Sequence, residues 1–298
     1  MTGTFIGDET TASRLVLDVA DEDLLALIRT ALIEDLRYGP DITSLATVPE
    51  DDVAQARIVS RQDGVVAGLP VVLAVFDQVI GPGRYEVTAR IDDGDRVESG
   101  TVALALTAPA RALLTAERTA LNLLCHLSGV ATATAAWVDA VDGTTAKIRD
   151  SRKTLPGMRA LQKYAVRAGG GVNHRMGLGD AALIKDNHVV AAGGVAQALE
   201  AVRAVAPDVP VEVEVDSLSQ LDEVLPLNPQ LVLLDNFEPW ETQMAVQRRD
   251  ATAPETKLES SGGLSLEVAM DYARTGVDYL AVGALTHSVT VLDFGLDM

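Results

Sequence analysis

The spacing of apolar positions changes along the chain, and the change divides it. Residues 21–36, DEDLLALIRTALIEDL, place apolar side chains at 24, 25, 27, 28, 31–33 and 36. That is a helical stripe with acids in its first turn, and GPDITS closes it with Gly39 and Pro40. Short β-branched runs follow: AQARIVSR (54–61), GVVAG (64–68) and RYEVTARI (84–91). DDGDRVESGTVALAL reads as strand, turn, strand about Gly94 and Gly100, and VVLAVFDQV (71–79) reads as a helix. This first part is predicted to be α+β with antiparallel strands.

From Ala110 to about Val141 the chain is rich in Ala, Leu and Thr. It predicts one or two long helices, with Gly129 a candidate break. Strand and helix then alternate. The strands are AKIRD (146–150), AALIK (181–185), VEVEVD (211–216), LVLLD (231–235), KLESS (257–261) and YLAVG (279–283). Helical stretches such as PGMRALQKYAVRAG and PWETQMAVQRR lie between them. Buried strands alternating with helices predict a parallel sheet, and six such units predict a (β/α) barrel. The expected division is an N-terminal domain over 1–128 and a barrel over 129–286, with the tail 287–298 packing back on the first domain.

The barrel strands end in a recurring way: Asp150, Lys185, Glu214 and Asp216, Asp235, Ser260 and Ser261, then Gly283. Active sites of parallel barrels sit at the carboxyl ends of the strands, so polar residues repeated there converge on one mouth. Charge sharpens this. The 298-residue chain has net charge −19, yet Lys147–His188 carries nine Lys or Arg against three acids, net +6, leaving −25 for the remainder. The overall acidity argues against nucleic-acid or membrane-surface binding and leaves the basic segment a local task, holding a small anion. A single cysteine, Cys125, excludes an internal disulfide and a multi-cysteine zinc site. Residues 1–14 read as a frayed tail without a signal peptide. No apolar run approaches the roughly 18 residues of a membrane span, so a soluble, cytoplasmic protein is expected.

Arg152 and Lys153 follow the first barrel strand, His174 and Arg175 follow a triple-glycine loop, and Lys185 ends the next strand. An Arg fork grips a carboxylate with two hydrogen bonds, and Lys supplies a point charge. Arg159, Lys163 and Arg167 recur every four residues on a helix and read instead as a solvated face. Either a site or a structural role suits His174; His126 and His188 lean to structure. Backbone amides of Gly169–Gly171 offer an anion cradle. Glu214 and Asp235 suit a hydrated Mg²⁺ or ribose hydroxyls. SSGG (260–263) and VGA (282–284) suit a phosphate, with Ser265 capping the helix after the first of them. No Ser/His/Asp set and no dinucleotide fingerprint is present, so charge stabilisation fits better than covalent catalysis.

The stretch DSRKTLPGMRALQKYAVRAGGGVNHRMGLGDAALIKDNH, with EVEVDS, LLDNF, ESSGGL and VGALTHS, resembles the quinolinate phosphoribosyltransferase family. EDLRYGPDITS, DGVVAG and TAERTALNLLCHLSG extend the likeness from about residue 20 onward. The resemblance implies an open α/β sandwich followed by an incomplete TIM-like barrel. It implies transfer of phosphoribosyl from phosphoribosyl pyrophosphate (PRPP) to quinolinate with Mg²⁺, giving nicotinate mononucleotide, pyrophosphate and CO2 on the route to NAD. It also implies a homodimer or larger homo-oligomer. Carried across, Arg152, His174, Arg175 and Lys185 would hold the two quinolinate carboxylates, and Arg118 would come from a neighbouring subunit. Lys153, Lys185, Glu214 and Asp235 would be catalytic, with Glu214 and Asp235 around the metal and ribose. Ser261, Gly262, Gly263, Val282, Gly283 and Ala284 would hold the phosphate end. Departures are small: Ser151 for a usual Thr, an altered Ser260, and Phe294 for a smaller aliphatic. Rival readings are a nicotinate-using relative, a paralogue associated with molybdenum transport, and a non-catalytic metabolite binder.

Overall fold

The computed structural model describes Leu17 and residues 21–298; the tail expected over 1–14 lies outside the described residues. Two compact units are present. The first gathers, of the described residues, Leu17, 21–135, 155–170 and 288–298; the second gathers 136–154 and 171–287.

The first unit opens with α1 (Asp21–Leu36) and α2 (Ile42–Thr47), where Asp41 caps α2 by accepting from the Ser44 amide at 3.1 Å. Then come β1 (Val53–Ser60), β2 (Gly64–Val65), α3 (Leu69–Val79), β3 (Glu86–Arg90), β4 (Arg96–Val97) and β5 (Val102–Pro109). Strands β1 and β5 pair antiparallel, Ile58 opposite Leu104, and β3 lies beyond β5. Alternation in β1 buries Ala54, Ala56 and Ile58, and α3 buries Leu69, Val71, Val72, Val75 and Phe76. The last strand of the chain, at residues 294–297, returns to pair antiparallel with β1, Phe294 opposite Ser60.

One unbroken helix, α4 (Ala110–Ala140), occupies the stretch where Gly129 offered a break. A Cβ at Gly129 would run into the carbonyl oxygen of Thr290, so this glycine serves close packing. The expectation that no segment approaches a membrane span is also corrected. Among the described residues α4 is long and apolar enough by length and composition, with a window of mean hydropathy 1.3. Of that window 61% is buried inside the protein, the behaviour of a core helix rich in Ala and Leu.

The second unit is built on β6 (Lys147–Arg149); α5 (Arg159–Ala168) follows in the chain, then β7 (Ala182–Ile184), α6 (Asp186–Ala192) and α7 (Val195–Val205). It continues through β8 (Val211–Val215), α8 (Leu218–Val224), β9 (Leu231–Asp235), α9 (Pro239–Thr252), β10 (Lys257–Ser261), α10 (Ala269–Ala273), β11 (Tyr279–Ala281) and α11 (Ala284–His287), and β12 (Phe294–Asp297) is the strand already described beside β1. The six strands are parallel in the order β6-β11-β10-β9-β8-β7. That is barrel order with β6 and β7 not paired to each other; among the described residues an isolated bridge from Arg149 to Val172 stands beside the gap. The barrel is therefore incomplete.

Helix α5 belongs to the first unit, although its sequence falls inside the barrel segment. Six consecutive residues, Leu161–Val166, are buried, and the Tyr164 hydroxyl donates to Asp93 at 2.6 Å. This overturns the solvated face at Lys163, which is fully buried, whereas Arg159 and Arg167 stay half-buried. Burial along the middle of the helix leaves Lys163 no access to water, whatever its charge spacing suggests. The glycine cradle fails as well. Gly169 and Gly170 donate their amides to the carbonyls of Ala165 and Arg167, closing α5. Ser265 does not cap a helix either, because α10 begins only at Ala269, after Val268.

Candidate active site

Strand pleat decides which side chains meet. Residues two apart on a strand share a face, and the register brings Glu214 level with Leu233, Leu233 with Glu259, and Asp235 with Ser261. These residues line one cavity of about 620 Å³ at the carboxyl ends of the strands. After β6 the chain adds Arg152 and Lys153; the segment before β7 adds His174 and Arg175; Lys185 follows β7. Ser261, Gly262 and Gly263 follow β10, and Val282, Gly283 and Ala284 follow β11. Thus thirteen residues singled out from sequence line the same space. Arg118, exposed on α4, does not.

The cavity has a cationic side. Arg175 donates from Nη1 to the Ala181 carbonyl at 2.9 Å. Burial, and then the charge of Arg152, hold its guanidinium below its ordinary pKa. The Nε atoms of Arg152 and Arg175 are buried without a hydrogen-bond partner. Two half-buried guanidiniums whose buried Nε donors lack partners are stabilised by an anion that supplies acceptors. Lys185 pairs with Glu214. His188, through Nδ1, accepts from the Lys185 amide at 2.9 Å and so fixes the start of α6, which gives it the structural role expected.

The loops after β10 and β11 suit phosphate. Gly262 and Gly263 have φ of +94° and +61°, in the left-handed region that favours glycine. A Cβ at Gly262 would collide with Oδ1 of Asn236, itself left-handed at φ +57°. Asn236 donates its amide to the Ser261 carbonyl at 2.8 Å and its side-chain NH2 to Asp235 at 3.0 Å. It therefore ties the serine-glycine loop to the carboxylate at the end of β9. A Cβ on Gly283 would lie 3.1 Å from Lys153 Cδ, 3.4 Å from Ser151 Oγ and 3.5 Å from His287 Nε2. The Thr286 hydroxyl holds the Lys153 carbonyl at 2.8 Å.

Beneath the cations lies a charged network that the sequence reading missed. His174 Nε2 stands 2.7 Å from Glu212 and 3.7 Å from Glu259, and Arg149 Nη1 stands 2.8 Å from Glu259. Burial pushes the Glu212 carboxyl up to about 7 and raises Glu259 too, with Arg149 opposing both. Glu212, Glu259 and His174 could present three ligand atoms to a metal. Arg149 already sits on Glu259 and Arg175 is next in the chain, so the network is internally compensated and a further cation would be repelled. Glu214 and Asp235 are the better oxygen donors for Mg²⁺, because both line the cavity partly exposed, whereas Glu212 and Glu259 are fully buried. Only Glu212, sharing a face with Glu214, was open to sequence reasoning; Glu259, Asn236 and His287 carried no signal of their own.

Comparison with known proteins agrees with this geometry. Residues 130–297 match the quinolinate phosphoribosyl transferase C-terminal domain, and residues 41–128 match its N-terminal domain. A nicotinate-nucleotide pyrophosphorylase (carboxylating) of Mycobacterium leprae (strain TN) is 66% identical over 91% of this chain and 95% of its own. The chain belongs to the quinolinate phosphoribosyltransferase family. A probable member from Bacillus subtilis (strain 168) is 38% identical over 92% of this chain and 93% of its own. The structure of the nicotinate-nucleotide pyrophosphorylase from Francisella tularensis superposes with a TM-score of 0.89 at 35% identity, covering 96% and 99% of the two chains. A quinolinate phosphoribosyltransferase of this kind is a pentosyltransferase, and the α/β domain with an incomplete barrel is its architecture.

Proposed function

We propose that this protein transfers the phosphoribosyl group of PRPP to quinolinate and decarboxylates the adduct, yielding nicotinate mononucleotide, pyrophosphate and CO2. The observation that carries the reading is that one cavity is lined both by four basic side chains and by two glycine-containing loops. Arg152, His174, Arg175 and Lys185 line the same space as the loops at Ser261–Gly263 and Val282–Ala284. A dicarboxylate and a polyphosphate repel each other in water, and a cavity with paired cations and open backbone turns aligns them.

The quinolinate ring nitrogen attacks C1 of the ribose while the bond from C1 to the pyrophosphate oxygen breaks. The ring becomes a pyridinium. The bond to the adjacent carboxylate then breaks, its electron pair stays on the ring carbon beside the positive nitrogen, CO2 leaves, and a proton from water fills the position. Arg152, Arg175 and His174 orient the carboxylates, and Lys153 and Lys185 offset charge on substrate and leaving group. Glu214 and Asp235 would hold Mg²⁺, which when bound screens the charge of the pyrophosphate. Arg118, exposed on α4 and outside the cavity of its own chain, belongs in this proposal to the site of a second copy. A homodimer acting in the cytoplasm is part of the same reading.

The test is turnover. Purified protein with PRPP, Mg²⁺ and quinolinate should release nicotinate mononucleotide and CO2, whereas nicotinate in place of quinolinate should not react. Product only from nicotinate would move the protein to a non-decarboxylating activity, and no product from either would favour a metabolite binder.

A further inference from the structure

The structure assigns Asp180 as a positioning residue: by closing the loop between Arg175 and Ala181 onto itself, it holds the Arg175 guanidinium at the wall of the cavity, set to grip a substrate carboxylate. This rests on the proposed dicarboxylate reading and names what keeps one of its ligands in place.

The stretch RMGLGDA, from Arg175 to Ala181, is a loop without helix or strand. Both of its ends are anchored in the barrel. Before it, the fully buried Asp150 accepts from the Asn173 side chain at 2.6 Å and from the His174 amide at 2.8 Å. After it, the Ala182 amide donates to the Pro210 carbonyl at 2.9 Å, and β7 pairs with β8. Between these anchors the loop carries its own ties. Asp180 accepts the Met176 amide at Oδ2, 2.6 Å, and the Gly177 amide at Oδ1, 2.8 Å. Burial opposes the charge of this carboxyl, but the amides of Met176 and Gly177, its own amide and Arg175 outweigh burial and hold it below its ordinary range. It therefore accepts as the carboxylate, the stronger acceptor. Arg175 spans the same loop, donating from Nη1 to the Ala181 carbonyl at 2.9 Å.

The two sets of ties are interlocked. The amides that Asp180 holds come directly after Arg175, and the carbonyl that Nη1 holds comes directly after Asp180. Releasing the carboxylate therefore changes the spacing between the Arg175 backbone and the carbonyl on which its guanidinium rests. A bidentate grip on a carboxylate tolerates about 0.5 Å of misplacement, so the loop has to be held as firmly as the side chain. The guanidinium lines the cavity and its buried Nε has no hydrogen-bond partner, which leaves a donor for a ligand. Asp180 is itself exposed and outside the cavity. It thus acts on the substrate through Arg175.

The experiment is a double-mutant cycle on the full chain: wild type, Asp180→Ala, Arg175→Ala and the pair, with Asp180→Asn, which keeps one acceptor oxygen, beside them. Steady-state kinetics are measured for each substrate. Asp180→Ala should raise KM for quinolinate about tenfold while kcat and KM for PRPP stay within about twofold, and Asp180→Asn should fall between it and wild type. In the Arg175→Ala background, Asp180→Ala should lower kcat/KM for quinolinate by less than about twofold further, because the group it positions is gone. NMR of ¹⁵N-arginine-labelled protein without substrate gives a second readout. The Arg175 Nε–H signal, assigned by its loss in Arg175→Ala, should shift or broaden in Asp180→Ala. An unchanged quinolinate KM, equal rises for both substrates, additive effects in the pair, or an unmoved Nε–H signal would overturn the assignment. Should Asp180→Ala not fold, Asp180→Asn carries the same comparisons, and its wild-type KM and spectrum would overturn the assignment equally. A wild-type enzyme without quinolinate turnover defeats the proposed function instead, and the substrate-free spectra still judge Asp180.

Discussion

Arg149→Met isolates the buried network on which the cationic side rests. Methionine keeps much of the length of the side chain and removes the charge that meets Glu259 at 2.8 Å, where the side chains are 2% and 1% exposed. Removing one partner of a buried pair strands the other, which costs about 3–5 kcal/mol. The like charge of Glu212, which already raises Glu259, places the cost toward the top of that range. At about 2–4 °C per kcal/mol for chains of this size, a loss near 5 kcal/mol should lower the apparent melting temperature by about 10–20 °C. The sign of the pH dependence follows. Burial lifts the folded Glu259 above its unfolded value, and loss of Arg149 lifts it further. A carboxyl raised on folding stabilises the fold while protonated, and that contribution disappears as pH rises through the folded value. The gap between parent and variant should therefore be widest above the folded value and narrow as pH drops toward the unfolded one, near about 4.3. Adding Glu259→Gln to Arg149→Met removes the stranded charge and should recover most of the loss. Thermal melts of the three proteins from pH 5 to 8 make the measurement. A gap that is constant with pH, or a double variant no better than the single, would refute the electrostatic account and leave lost packing as the cause.

Gly283→Ala should leave the melt within about 2 °C, because Gly283 has an ordinary φ, yet raise KM for PRPP about tenfold by filling the space between Lys153 and His287. Asp235→Ala and Glu214→Ala should each lower kcat/KM by about a hundredfold or more without unfolding the protein, and a chelator should abolish wild-type turnover; full activity in both variants would remove them from the metal. Gly169→Ala should destabilise by about 1–3 kcal/mol, since the new Cβ meets the Ala131 carbonyl and lies 2.6 Å from Thr134 Cβ; kinetics of the surviving folded enzyme should be unchanged.

Much of the site was legible along the chain because barrel topology does the gathering. Each strand contributes its last inward residue to one mouth, so Lys185, Glu214, Asp235 and Ser261 could be paired before any contact was known. Helix periodicity likewise marked α1 from Asp21 to Leu36, and β-branched runs marked β1 and β8. These signals belong to single elements, and a single element carries its own faces in its own sequence. What covers those faces was decided only by the tertiary structure. Lys163 looks like a solvent cation until Leu161–Val166 is wrapped from every side, and Gly129 looks like a break until the Thr290 carbonyl comes against it. Glu259 reads as an ordinary strand glutamate; it is Arg149, 110 residues earlier, and His174 from a third segment that give its carboxylate a task. Periodicity reports which way a side chain points, whereas charge compensation depends on who stands opposite, and that is fixed by the parallel register of distant strands.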